Sequence, residues 1–250
     1  MKRLTGKVAL LAGATSGIGQ RTAEIFAEEG AHVVVGGRRA REGSLVVDQI
    51  TKSGGSAIYV PLDVSEPESV EAAVRTAVRE FGALHVLFSN AGGSTSADGT
   101  VVSASLDEFW NKIQVDLYGA FLCSRYTIPA IIESGGGSVV NVASMAGLGT
   151  AVGRDAYSAA KGGLVALTRS TARTFVGDNV RVNAIAPAAV KTERILKLVE
   201  TVPAAAEALA PQKLGLIDPA EIALAAVYLA SAESARVTGQ ILEIHGGSFG

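Results

Sequence analysis

A single cysteine, Cys123, among 250 residues leaves no intramolecular disulfide to form and no thiolate set for a structural zinc. Neither sign of charge dominates: 22 Lys and Arg against 24 Asp and Glu give a formal net charge of −2. That balance offers no basic footprint for nucleic acid and no polybasic patch for a membrane surface. No run of 18 apolar residues occurs, and the apolar stretch after the basic start stops at Gly13, too short for a signal peptide. Proline- or serine-rich linkers and internal repeats are also missing. A cytoplasmic protein with no membrane or nucleic-acid partner is the expectation. What is abundant is apolar: 48% of residues are hydrophobic and 18% charged, enough to build a core and too apolar for disorder.

That apolar content is distributed in a rhythm. Short runs at 8–13, 32–36, 57–62, 84–90, 137–144, 180–187 and 241–247 alternate with helix-length segments at 17–29, 40–53, 66–81, 105–133, 156–176 and 219–231. Several runs are continuous rather than alternating, as expected of strands buried on both faces. Such repeated alternation predicts a doubly wound α/β fold, a mostly parallel seven-stranded sheet with helices on both faces. Residues 188–216 fall out of rhythm between the last two strands, and their length suits a helical flap on the substrate side of a cleft.

GATSGIG (13–19) leaves the first strand and opens the first helix, where glycines permit a tight turn and the helix end offers N–H groups to a phosphate. A plain tight turn is the alternative, since the chain holds 29 glycines. About 20 residues on, where a ribose would lie, GGRR (36–39) supplies no acid for a 2′-hydroxyl. Arg38 and Arg39 supply cationic forks suited to a 2′-phosphate, which favours NADP(H) while leaving NAD(H) possible and two solvated arginines as the bland reading. Tyr157 and Lys161 stand four residues apart, so a helix puts phenol and ammonium on one face.

Taken in order, GATSGIG (13–19), LDV (62–64), NAG (90–92), Ser144 and Tyr157-Ser-Ala-Ala-Lys161 resemble the short-chain dehydrogenases/reductases of the compact kind. The resemblance runs from about residue 5 through VTGQILEIHGG (237–247) and implies a single doubly wound Rossmann domain over 1–250. It implies that Gly13, Ser16, Gly17, Ile18 and Gly19 wrap the pyrophosphate and that Arg38, with Arg39 beside it, faces the 2′-phosphate. Asp63 and Val64 would contact adenine, and Asn90, Ala91 and Gly92 would line the cofactor. Pro187, Val190 and Thr192 would hold the nicotinamide from the flap side, and Lys161 would hold its ribose beside Tyr157. Homotetramers are usual in the family, pairing through the fourth and fifth helices and the C-terminal strand region, where Gly162 and Gly163 would allow close packing.

Reduction of a carbonyl leaves an alkoxide that needs a proton, and Tyr157 suits the acid role. An unperturbed phenol has a pKa of about 10, but a cation about 4 Å away at an effective dielectric near 20 contributes roughly 4 kcal/mol, or about three pKa units. Lys161 can be that cation, and Ser144 would hydrogen-bond the substrate oxygen. Two positions depart from the family pattern. VDLYGAF (115–121) carries Asp116 where the family commonly has Asn. With Leu106, Phe109, Ile113, Leu117 and Ala120 as the apolar stripe, Asp116 is placed at the stripe's edge, with a partner to offset its burial and a relay of altered pH dependence. Ala188 stands for a usual Gly, and His245 for a frequent Asp.

The expected activity is NADP(H)-dependent interconversion of a carbonyl and a secondary alcohol with Tyr157 as acid/base. An NAD-dependent polyol or sugar dehydrogenase is the close alternative, and a non-catalytic NADP(H)-binding regulator the distant one. The substrate pocket is expected among 93–98, 145–155 and 188–216. Arg154 reads first as an exposed loop arginine, with an anionic substrate group as its alternative partner.

Overall fold

The apolar runs pair as parallel strands because both faces of each are covered. In the computed structural model, which describes residues 2–201 and 212–248, they are β1 (Val8–Ala12), β2 (His32–Gly37), β3 (Ser56–Pro61), β4 (Val86–Ser89), β5 (Gly137–Val142), β6 (Val180–Pro187) and β7 (Ile241–Ile244). They form one seven-stranded sheet in the order β3-β2-β1-β4-β5-β6-β7, every pair parallel. Every residue of β1 and β4 is buried, which is why those runs read as continuous rather than alternating. Strand order reverses between β1 and β4, so the crevice beyond their C-terminal ends is where this topology binds ligands.

The helices are α1 (Gly17–Glu28), α2 (Ala40–Lys52), α3 (Pro67–Phe81), α4 (Leu106–Lys112), α5 (Gly119–Glu133), α6 (Asp155–Phe175), α7 (Glu193–Thr201) and α8 (Pro219–Ala230). Their ends follow local chemistry. α3 opens with Pro67 and stops at Gly82 in the left-handed region, while α8 opens on a capping box of Asp218 and Glu221. Phe26 of α1 and Ile222 and Val227 of α8 cover one sheet face, and Val70 and Val74 of α3 with Leu122 and Ile131 of α5 cover the other.

One expectation is corrected by the packing. α4 and α5 are joined by a π-helical turn over Ile113–Tyr118, and the buried row along them is Glu108, Lys112, Asp116 and Ala120. Asp116 therefore lies in the middle of the inward face, while Leu106 at 78% exposure and Trp110 at 62% face outward. Residues four apart with alternating charge neutralise one another, so a charged row can go inside where single charges could not. Gly163 also packs within the chain: a Cβ there would sit 2.8 Å from Leu117 Cδ2.

The departure at His245 also has an account. Its Nδ1 accepts a hydrogen bond from the Gly247 amide at 3.2 Å, the local backbone bond that a short acidic side chain makes in such a turn. In the segment expected to form a flap, Val190 bridges Ile217 and α7 covers Glu193–Thr201; residues 202–211 of the expected 188–216 segment lie outside the described residues.

Candidate active site

Three backbone segments meet at the switch point. Gly13 adopts φ +80° and comes so close to the β4 turn that a Cβ on it would lie 2.7 Å from Ala91 Cα. Asn90 Nδ2 locks this approach by donating to the Gly13 carbonyl at 2.9 Å. Gly17, at φ +55°, faces Thr192, whose Cγ2 would be 3.2 Å from an added Cβ. Ser16 makes no capping hydrogen bond to α1; its Oγ accepts instead from Arg39 Nη2 at 2.5 Å. Thr15 Oγ1 accepts from Arg39 Nε and Nη2 at 3.2 and 2.9 Å.

Arg39 is thus folded over the glycine-rich turn, whereas Arg38 reaches outward, its side chain 73% exposed and Nη1 3.8 Å from Asp63 Oδ2. β2 ends on Gly37, where a Cβ would meet Thr15 Cγ2 at 2.6 Å, so a ribose-facing carboxylate at that position would force Thr15 to move. A helix end without a side-chain cap, glycine backbone and two guanidiniums fit a phosphorylated dinucleotide. Asp63 accepts from Ser65 Oγ at 2.7 Å and from the Ser65 amide at 3.0 Å, which holds its carboxyl below the ordinary range. Val64 is buried against Gly119, where a Cβ would come within 2.6 Å of Val64 Cγ2.

Ser144 follows β5 and starts a short 3₁₀ turn, its Oγ accepting from the Ala146 amide at 3.2 Å. Tyr157 and Lys161 lie one turn apart in α6, with Lys161 Nζ 5.7 Å from the Tyr157 ring centroid. The start of α6 is fixed from outside: Asp98, in the loop after β4, accepts from the Tyr157 amide at 3.0 Å and the Ala156 amide at 3.3 Å. Gly147 packs on Lys161 so closely that a Cβ would lie 2.6 Å from the Lys161 carbonyl carbon. Ser144, Tyr157 and Lys161 line one open cavity together with Ile18, Asn90, Gly92, Pro187, Val190 and Thr192. Arg38, Arg39, Asp63 and Val64 lie outside that cavity, toward the ends of β2 and β3.

Beneath the cavity runs a buried row of alternating charge. Lys161 Nζ donates to the Val142 carbonyl at 2.9 Å and lies 3.2 Å from Asp116 Oδ1. Asp116 Oδ1 also accepts from the Gly93 amide at 2.8 Å, and its Oδ2 is 3.8 Å from Lys112 Nζ. Lys112 in turn donates to the Gly93 carbonyl at 2.8 Å and sits 3.6 Å from Glu108 Oε1. Glu108 accepts from Thr95 Oγ1 at 2.5 Å, and this bond, helped by Asn111 and Lys112, holds its carboxyl below the usual range. A Cβ at Gly92, whose φ is +123°, would run into the Asp116 carboxyl, so this turn takes glycine. The sequence patterns single out neither Lys112 nor Glu108 as a site residue, and they place Asp98 only within the expected 93–98 pocket loop, not at the start of α6. The Glu-x-x-x-Lys-x-x-x-Asp spacing was the available signal for the first two; Asp98 had none, being 59 residues from the amide it caps.

The chain matches, over residues 13–248, the family described as Enoyl-(Acyl carrier protein) reductase. It is 40% identical to an uncharacterized oxidoreductase of Bacillus subtilis, over 99% of this chain and 92% of the relative. It is 36% identical to the cyclohexanol dehydrogenase of an Acinetobacter strain, over 98% and 95%. The crystal structure of a putative short-chain dehydrogenase/reductase from Burkholderia xenovorans superposes with a TM-score of 0.91 at 32% identity, covering 99% of this chain and 98% of that one.

Proposed function

We propose, because the chain belongs to the short-chain dehydrogenase/reductase family, that it interconverts a ketone and a secondary alcohol with NADP(H), using Tyr157 as the acid/base. It is an oxidoreductase of CH–OH and C=O groups, as its named relatives are, and the family uses NAD(P)(H). The observation that carries the finer reading is the single cavity lined by Ser144, Tyr157 and Lys161 beside the Gly13–Gly19 turn. Cyclohexanol dehydrogenase as a relative points to a cyclic alcohol or ketone as the first substrate to try.

Asn90, Gly92, Pro187, Val190 and Thr192 would line the nicotinamide and the Gly13–Gly19 turn would take the phosphates, and the cofactor so held would supply or accept the hydride. The protein's part is binding and proton transfer. Ser144 Oγ and Tyr157 Oη hold the substrate oxygen. In reduction the Tyr157 hydroxyl gives its proton to the forming alkoxide; in oxidation the phenolate takes it back. Lys161 stabilises that phenolate by its charge, and Val142 O and Asp116 fix where the charge sits. Asp116 acts as a positioning residue, with Lys112 offsetting its own charge.

Arg38 and Arg39, with no acid at the end of β2, support NADP(H) over NAD(H). The whole of 1–250 is read as one catalytic unit with 188–216 as its flap. The outward apolar row of Leu106, Trp110, Tyr118 and Phe121 supports assembly into a homotetramer. No helix among the described residues is long and apolar enough to cross a membrane.

Initial rates of cyclohexanone reduction with NADPH and NADH test this reading. NADPH is expected to win, and Tyr157→Phe to lose about 10³-fold or more in kcat while still binding NADPH. NADPH binding without turnover across cyclic ketones, ketoacyl thioesters and sugars would favour a regulator instead.

A further inference from the structure

The cavity beside Tyr157 is charged with one sign. Among the described residues that line it, Arg154, Lys161 and Arg194 are cations, and none is Asp or Glu. Lys161 is engaged below by Asp116 and the Val142 carbonyl. The two arginines are not so engaged: among the described residues, neither has a carboxylate within ion-pair distance.

They come from different elements and converge on one residue. Arg154, just before α6, donates from Nη1 to Ser94 Oγ at 3.2 Å, and Arg194, in the first turn of α7, donates from Nη1 to the Ser94 carbonyl at 2.5 Å. Ser94 thus anchors two like charges that repel each other, and most donors of both forks remain spare. The neighbouring lining is small or apolar: Thr150, Ala151, Ile195 and Leu198. A hydroxyl pair, then apolar wall, then two guanidinium forks describe a ligand with a C–O group at one end and an anion at the other. Planar forks match a carboxylate better than any neutral group.

We propose that this cavity selects ketones and secondary alcohols that carry a carboxylate, held by Arg154 and Arg194 while the reacting C–O group meets Ser144 and Tyr157. This rests on the catalytic reading above and adds the substrate class. Arg194 has one rival partner. Thr192, two residues earlier, lies over Gly17 of the phosphate turn, so a cofactor phosphate could claim the same guanidinium.

The test compares 4-oxocyclohexanecarboxylate with its neutral amide, 4-oxocyclohexanecarboxamide, and with cyclohexanone, under NADPH. The native protein is expected to prefer the acid over the amide by about ten-fold or more in kcat/KM, through KM, because hydrogen bonds to a charged carboxylate are stronger than those to a neutral amide. Arg154→Gln and Arg194→Gln should each reduce that ratio, and the double variant should bring it near one. A native ratio near one overturns the proposal, as does an equal loss for acid and amide in the variants. An increase in the KM for NADPH with both ketones in Arg194→Gln assigns Arg194 to the cofactor and overturns the paired site. If none of the three ketones is reduced, the catalytic reading fails separately. Calorimetry of cyclohexanecarboxylate with the NADPH-loaded protein then decides: binding lost in the double variant supports the anion site, and no binding to the native protein overturns it.

Discussion

At the scale of single residues, the charge next to Lys161, the lysine proposed to stabilise the Tyr157 phenolate, is the unusual quantity. An aspartate at 3.2 Å from Lys161 works against a phenolate on Tyr157, and Lys112, near the other oxygen of that aspartate, works for it. The two substitutions therefore have opposite signs. Asp116→Asn removes an anion and should raise kcat for alcohol oxidation at a fixed neutral pH, whereas Lys112→Met should lower it, each by roughly ten-fold. In the double variant the two changes should largely cancel. Rates that fall alike in both single variants would leave both residues as purely structural. Cys123, by contrast, takes no part: burial pushes its thiol up to about 12, so it stays protonated and inert at neutral pH.

Among elements, the loop after β4 organises the site. Its backbone at Gly93 is held by Asp116 and Lys112, its Thr95 by Glu108, and its Asp98 caps the helix that carries Tyr157. Because a carboxylate at a helix start both satisfies orphan amides and complements the dipole, Asp98→Ala should lower stability by about 1–2 kcal/mol in denaturant unfolding. The same change should lower kcat more than it raises the KM for NADPH, since it frees the first turn of α6 and leaves the Gly13–Gly19 turn untouched. A loss seen only in the KM for NADPH would contradict this assignment. Asp98→Asn, which keeps an acceptor, should recover part of both effects.

On the scale of the molecule, buried and paired titratable groups make the fold acid-sensitive in two steps. Burial, with Lys7 nearby, holds His85 below its ordinary value of 6.5, and its Nδ1 accepts from the Val8 amide at 3.1 Å. A depressed native pKa contributes stability above the unfolded value, which is lost as pH falls from about 6.5 through the native value. Glu29, bonded to Arg3, and Glu108, bonded to Thr95, are held below the ordinary 4.5, so their contribution is lost as pH falls below that range. The melting temperature should therefore decline first below about pH 6.5 and again below about pH 4.5, and His85→Asn should remove the first decline. A flat melting temperature between pH 7 and 5 would refute the first step.

The sequence by itself determined the strands, nearly all helix limits, the glycine turn and the Tyr157–Lys161 face, because each depends on local periodicity or on spacing within one turn. His245 was legible as a departure, but its bond to the Gly247 amide was not. Only the tertiary structure decided where Asp116 points. A stripe drawn through apolar residues put it at an edge, whereas the π-helical turn and its ion pairs put the charged row inside. It also decided which distant residues meet: Asp98 at the Tyr157 amide, and Arg154 and Arg194 at Ser94 in the cavity, 60 and 100 residues away. Contacts of that separation carry no periodic trace in a chain. They exist because strands β4, β5 and β6 end side by side, which places the loops that follow them around one crevice.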